Sequence, residues 1–412
     1  MIHLRLLIAA CVAALPWLCT AAEPLPANVQ QWPLREVAAH PADVDDDFAD
    51  LAPLGDQLAK AQVVALGEQT HGASEEFRYK LRLVRYLHEK LGFDVLLLES
   101  GFYDIGRIGL EAARGASLDA LAPGNVFFMY ANSAEGRELL RYVEAQQRKR
   151  RPLALAGIDS QHTGSLARDD MLGDLHAVLE RIAPDLLKDE AAWADYRRRV
   201  LALVALNREP PDAAQQSAFL AYNRRLQDLF CTGSAGRPTP GDPAWWCRVV
   251  ASIEAQARSI WSQDRDYQRD NAMGANAIWL VEQLFRGRKA VIWAHTVHVA
   301  KGLQRAPEQL QAGEVMSRHW GAGYQVVNFT TARGSYRDFA DLEEKAVPPP
   351  PAGSLESKLP AQTLLLKASK PLTLPQYGID YALNALPVPT QLGRHWDWLI
   401  ALPQVTPVQM TR

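Results

Sequence analysis

Five stretches of this 412-residue chain are apolar almost without interruption: 63–66, 95–98, 153–158, 290–294 and 324–328. A strand with one face in water alternates apolar and polar residues, whereas a strand covered on both faces does not. Runs of this kind belong to a sheet with helices on each side. The segments between them carry the longer helical period. In the first, Phe77, Leu81, Val84, Leu87 and Leu91 recur with charged residues between them, and Gly92 supplies a stop. The expected class is α/β, a mostly parallel central sheet flanked by helices. Residues 363–366 and 398–401 are weaker strand candidates.

Residues 165–287 break the alternation. They are helical in pattern apart from a Gly/Pro-rich stretch between Cys231 and Cys247, and they read as a helical insertion, a lid or cap, between two core strands. The N-terminus is different again. A basic start ending at Arg5, an apolar stretch over 6–18 and the small residues Thr20, Ala21 and Ala22 form the pattern of a secretory signal peptide. The expected organisation is a signal peptide over 1–22, a first part of the α/β core over 23–164, the insertion over 165–287 and a second part of the core over 288–412.

The apolar stretch of the signal falls short of the roughly 20 residues a spanning helix needs. No stable membrane insertion is therefore expected after cleavage, and a periplasmic or secreted location is. Cys11 and Cys19 leave with the signal. In an oxidising compartment the remaining Cys231 and Cys247 are expected to join and hold the loop between them. There are 44 basic and 47 acidic side chains, with no block of either sign. That balance offers no footprint for nucleic acid or another polyanion.

Four of the apolar runs end on residues that do chemistry. The first leads into Gly67, Glu68, Gln69, Thr70, His71 and Gly72, the second into Glu99, the third into Asp159, and the fourth into His295 and His298. Open parallel sheets bind ligands beyond the carboxyl ends of their strands, so these side chains should gather at one rim. A carboxylate beside an imidazole fixes its tautomer and raises its basicity, which suits general-base work near neutral pH. Glu68 and His71 are that pair. The bracketing glycines suggest backbone at positive φ, and the start of the next helix suggests amides open to an anion. Lys80, near the inward stripe of that helix, reads either as a cation facing the site or as a snorkelling side chain.

The chain has no GxSxG elbow, Walker A loop, GxGxxG or HExxH motif. A covalent serine mechanism is not expected, nor is a cofactor. The same residues leave two other readings open. One is a metal-dependent hydrolase or peptidase, with imidazoles and carboxylates around zinc. The other is a non-catalytic periplasmic protein that binds an apolar, haem-like ligand through its histidines.

Residues 64–72, the helix running to Leu91, Gly92 and Phe93, and the segment Leu98, Glu99, Ser100, Gly101, Phe102 resemble the erythromycin esterase family. Gly157 to Asp159, Arg269 and Asp270 with Met273, and Ala294 to His298 follow in the family's order. The resemblance implies a metal-independent carboxylic ester hydrolase that opens a macrolide lactone or another small-molecule ester with activated water, an activity tied to antibiotic resistance. It implies His71 as general base, Glu68 and Glu99 positioning it and the water, and His295 and His298 binding and polarising the carbonyl. Lys80, Asp159 and Arg269 would contact substrate. Lys80 stands where members commonly carry Arg, and it offers a point charge in place of a planar fork. An export signal is a second departure, since antibiotic inactivation in this family is usually intracellular.

Overall fold

The computed structural model of the chain describes residues 24–233, 236–374 and 391–411, and the expected signal peptide lies outside them. In chain order the strands are β1 (Val29–Pro33), β2 (Val63–Glu68), β3 (Phe93–Gly101), β4 (Ala154–Asp159), β5 (Lys289–His295), β6 (Gln304–Ala306), β7 (Gln309–Leu310), β8 (Tyr324–Thr331), β9 (Ser335–Arg337), β10 (Glu344–Ala346), β11 (Leu364–Ala368) and β12 (Trp398–Leu402). Eight of them form one sheet in the order β1-β11-β12-β8-β2-β5-β3-β4, while β6 with β7 and β9 with β10 make small ribbons. From β12 across to β4 every neighbouring pair is parallel; β11 runs against β12, and β1 against β11.

The expected class holds, and every apolar stretch singled out in the sequence is a strand. β1 was not anticipated. It has no apolar run and sits half-exposed at the sheet edge, so its strand character comes from its partner β11 and not from its own pattern. The order of the strands was not anticipated either. The helix Ser74–Leu91 joins β2 to β3, yet β5 lies between them, arriving only after the long helical segment. That insertion sets Glu68 beside His295 in register.

Alternate residues of each run feed opposite layers. Val63 and Ala65 pack into one core with Leu175, Trp193, Leu226, Trp246 and Val249, all from helices between β4 and β5. Val64 and Leu66 pack into the other with Phe77, Leu81, Val84 and Leu87 of Ser74–Leu91. Gly92 closes that helix at φ 80, the left-handed cap that glycine adopts without a steric penalty. Cys231 is bonded to Cys247, tying the end of the helix Ala213–Phe230 to Pro243–Trp261. Among the described residues no helix is long and apolar enough to cross a membrane.

Past β12 the chain turns back over the loops that follow β2. Val408 N donates to the Gly72 carbonyl at 3.0 Å, and Ser74 N donates to the Thr406 carbonyl at 2.8 Å. Ala134 N donates to the Gln409 carbonyl at 2.8 Å, and Thr411 N to the Asn132 carbonyl at 2.7 Å. This tail straps together the loops that carry His71 and Tyr130.

Candidate active site

The carboxyl ends of β2, β5, β3 and β4 stand side by side, so Glu68, His295, Glu99 and Asp159 meet at one rim. The rings of His71 and His295 lie 5.0 Å apart between centroids, and those of His295 and His298 6.2 Å. A cleft of about 610 Å³ opens over them, lined by His71, Glu99, Asp159, Arg269, His295 and His298 among others.

Glu68 is buried beneath His71. Its Oε1 receives His71 Nδ1 at 2.9 Å and the Tyr130 hydroxyl at 2.7 Å. Its Oε2 meets the Lys80 ammonium. Lys80 is itself wholly buried, reaches the Ala294 carbonyl at 3.3 Å and lies 4.2 Å from the centroid of the Trp293 ring. Burial drives its ammonium well below the ordinary lysine value, with the Glu99 charge pulling the other way. Lys80 therefore neither faces the cleft nor snorkels to water. Its helix directs it at the back of the sheet rim, where it steadies the carboxylate that holds the histidine. With Nδ1–H given to Glu68, the lone pair of neutral His71 sits on Nε2. Phe127 and Phe339 flank the ring, at 4.7 and 5.4 Å between centroids.

The two bracketing glycines are required for a different reason from the one expected. Neither has a positive φ. A Cβ on Gly72 would lie 1.7 Å from the Arg337 carbonyl oxygen, and one on Gly67 would lie 2.7 Å from Thr296 Oγ1. Close approach of neighbouring chain excludes any side chain there. At the start of the following helix the Thr406 carbonyl occupies Ser74 N, so that amide is not open to an anion.

Glu99 anchors a second network. Its Oε2 accepts from His295 N at 2.6 Å, and its Oε1 faces His298 Nε2 at 3.2 Å and Arg269 Nη2 at 3.5 Å. Burial works to raise its carboxyl, but His298, hydrogen-bonded to it, and Arg269 hold it well below the carboxylate range. His298 Nδ1 lies 2.6 Å from Asp270 Oδ1. Burial opposes the charge on His298, yet Asp270 and Glu99 outweigh it and raise the imidazole to about 10.

His298 is thus an imidazolium at neutral pH with both N–H groups on carboxylates. Held between Glu99 and Asp270, it helps keep Glu99 ionised. Arg269 grips Asp159 through two hydrogen bonds of 3.0 and 2.6 Å; both line the cleft, engaged chiefly with each other. His295 Nδ1 accepts from Val297 N at 3.2 Å, which leaves Nε2–H directed at the Gln69 carbonyl, also at 3.2 Å.

Glu68, His71 and Glu99 have ligand atoms within 4.8 Å of one another, close enough to hold a cation. An ion there would compete with Lys80 for Glu68 and with His298 for Glu99. Sequence reasoning gave Asp270 only as part of the motif at Arg269, without a role, and missed Tyr130, Tyr267 and Arg305. Tyr130 left a trace, since it ends the aromatic run begun by Phe127. Tyr267 and Arg305 left none.

The sequence profile of the erythromycin esterase family matches residues 88–399. Glu99, Asp159, Arg269, His295 and His298 fall inside the matched stretch, and Glu68, His71 and Lys80 precede it. The Bacillus subtilis protein YbfO, which carries a provisional hydrolase name, is 25% identical over 339 residues, or 76% of this chain and 74% of its own. Among solved structures, a succinoglycan biosynthesis protein superposes with a TM-score of 0.69 at 18% identity, covering 92% of this chain and 96% of that one. A protein from Bacillus cereus gives 0.68 at 19% identity, covering 93% and 97%. A histidine-to-asparagine variant of the erythromycin esterase EreC in its open conformation gives 0.64 at 17%, covering 91% and 98%. At these identities the structural likeness speaks for the fold.

Proposed function

The chain belongs to the erythromycin esterase family, and from that premise we propose that it is a hydrolase cleaving a carboxylic ester or lactone with water activated by His71. The observation that carries this reading is the 2.9 Å contact between Glu68 and His71 Nδ1 beneath an open cleft. It leaves Nε2 as the basic nitrogen. Water at Nε2 gives a proton to His71 as its oxygen attacks the carbonyl carbon, and Glu68 stabilises the imidazolium that forms. Glu99, held ionised, accepts the second water hydrogen and orients the attack. His295 exchanges the Gln69 carbonyl for the developing oxyanion. Collapse expels the alcohol, which takes its proton from His71. A positioned base of this kind contributes about 10²–10⁴-fold.

Within this class a macrolide lactone is the substrate the family name suggests, and the cleft volume lies in the range of small-molecule sites. Export to the periplasm or medium belongs to the same reading, supported by the pattern of residues 1–22 and by the disulfide. Macrolides and simple aryl esters tested against the purified chain and His71→Ala check the reaction. At least one ester class is hydrolysed, and His71→Ala loses about 100-fold or more in kcat with an unchanged thermal melt. An intact chain that hydrolyses no ester ends the reading. The acidic and imidazole cluster also favours testing for metal, and activity lost with EDTA and restored by zinc would shift the account to metal-bound water.

A further inference from the structure

The cleft has two unlike sides. Around His71 its walls are aromatic, with Phe127 and Phe339 against the ring. Toward the β6–β7 ribbon it is cationic. Arg305, on β6, lies over Tyr267 with its guanidinium carbon 3.7 Å from the ring centroid, and both residues line the cleft. Tyr267 is only 5% exposed, and its hydroxyl has no hydrogen-bond partner among the described residues. The other cations lining the cleft are matched: His298 with Glu99 and Asp270, Arg269 with Asp159. Arg305 alone of these cations has no carboxylate against it among the described residues.

We propose that Arg305 and Tyr267 form a subsite for a carboxylate carried by the substrate, so that the preferred ester bears an anionic end and an apolar end. The proposal rests on the hydrolase reading above and deepens it to a substrate class. A guanidinium fork and a phenol O–H together satisfy the two oxygens of a carboxylate, and charge-assisted bonds of this kind are the strong ones. The ring beneath Arg305 holds the guanidinium in place, which lowers the ordering cost of binding. The Tyr267 hydroxyl, which has no protein partner among the described residues, gains one when the ligand arrives. The apolar end of the ester then rests against the phenylalanines beside His71, with the scissile carbonyl between the two sides.

Two probes separate the halves of this idea: para-nitrophenyl acetate, which is neutral, and mono-para-nitrophenyl glutarate, which carries a carboxylate. Wild-type protein favours the glutarate ester in kcat/KM, and added salt reduces the preference because Arg305 is solvent-exposed. In Arg305→Gln the ratio of the two kcat/KM values falls about tenfold or more, through KM on the anionic ester. Tyr267→Phe moves it the same way by less. Calorimetry with glutarate alone reads the subsite without turnover, and Arg305→Gln binds it at least about tenfold more weakly. A selectivity ratio that Arg305→Gln leaves unmoved, or equal glutarate binding by both proteins, overturns the subsite even when both esters are cleaved. Glutarate bound through Arg305 by a protein that cleaves neither ester supports the subsite and counts against the hydrolase reading instead.

Discussion

Lys80 and Glu68 are both without solvent-exposed surface, so each depends on the other. Removing one partner of a buried pair leaves a bare charge in a low-dielectric interior, at a cost of about 3–5 kcal/mol. Lys80→Met should lose that much stability in urea unfolding and, with Glu68 no longer fixed, most of its activity; a variant as stable as wild type would show that the pair is not what holds Glu68. His298 makes a second prediction. Its folded pKa of about 10 lies above the ordinary 6.5. A group raised on folding contributes stability that is complete below the unfolded value and lost as pH climbs through the folded one. Unfolding free energy should therefore decline between pH 6.5 and about 10, and His298→Gln should flatten the decline. The buried Asp104 carboxyl, raised to about 7 from 3.8, loses stability in the same direction over a lower window, so the two are separable. At this scale Glu68, Glu99 and His295 were legible as rim residues because each stands at the end of an apolar run, and His71 because it lies three residues past Glu68. The assignments of Lys80 and His298 were not, because they depend on which side chain reaches across from another element.

The strands were legible as elements because a doubly covered strand must be apolar at every position. Their order was not, since pairing β5 between β2 and β3 is decided by how the layers close and not by any local pattern. The C-terminal tail was equally invisible in sequence: residues 405–411 hold their place through backbone hydrogen bonds to Gly72, Ser74, Asn132 and Ala134. Thr406 also donates to the Glu75 carboxylate from its amide at 2.6 Å and its hydroxyl at 2.8 Å. These contacts fix the loops bearing His71 and Tyr130 relative to each other. Ending the chain before Thr406 should lower kcat by about 10–100-fold, since small misplacements of catalytic groups carry penalties of that order, while far-ultraviolet circular dichroism stays close to that of the full chain. Undiminished kcat in the shortened protein would show that the loops hold their own positions.

At the scale of the whole molecule, two helical layers cover a sheet whose central strands run one way, and the disulfide braces one of those layers. Its cysteines are 16 residues apart, a loop for which restriction of the unfolded chain contributes about 3 kcal/mol. Replacing Cys231 and Cys247 together by Ser should lower the melting temperature; dithiothreitol should bring wild type down to the same point and leave the variant where it is. A wild-type melt insensitive to reductant would contradict the bond's contribution. The whole arrangement brings residues from four distant strands to one rim, where the proposed function has a single imidazole remove a proton from water. The most direct test is the kcat of His71→Ala on an ester the wild-type protein cleaves, measured with and without added imidazole. The account predicts a loss of about 100-fold or more that imidazole partly restores, and wild-type turnover in the variant would contradict it.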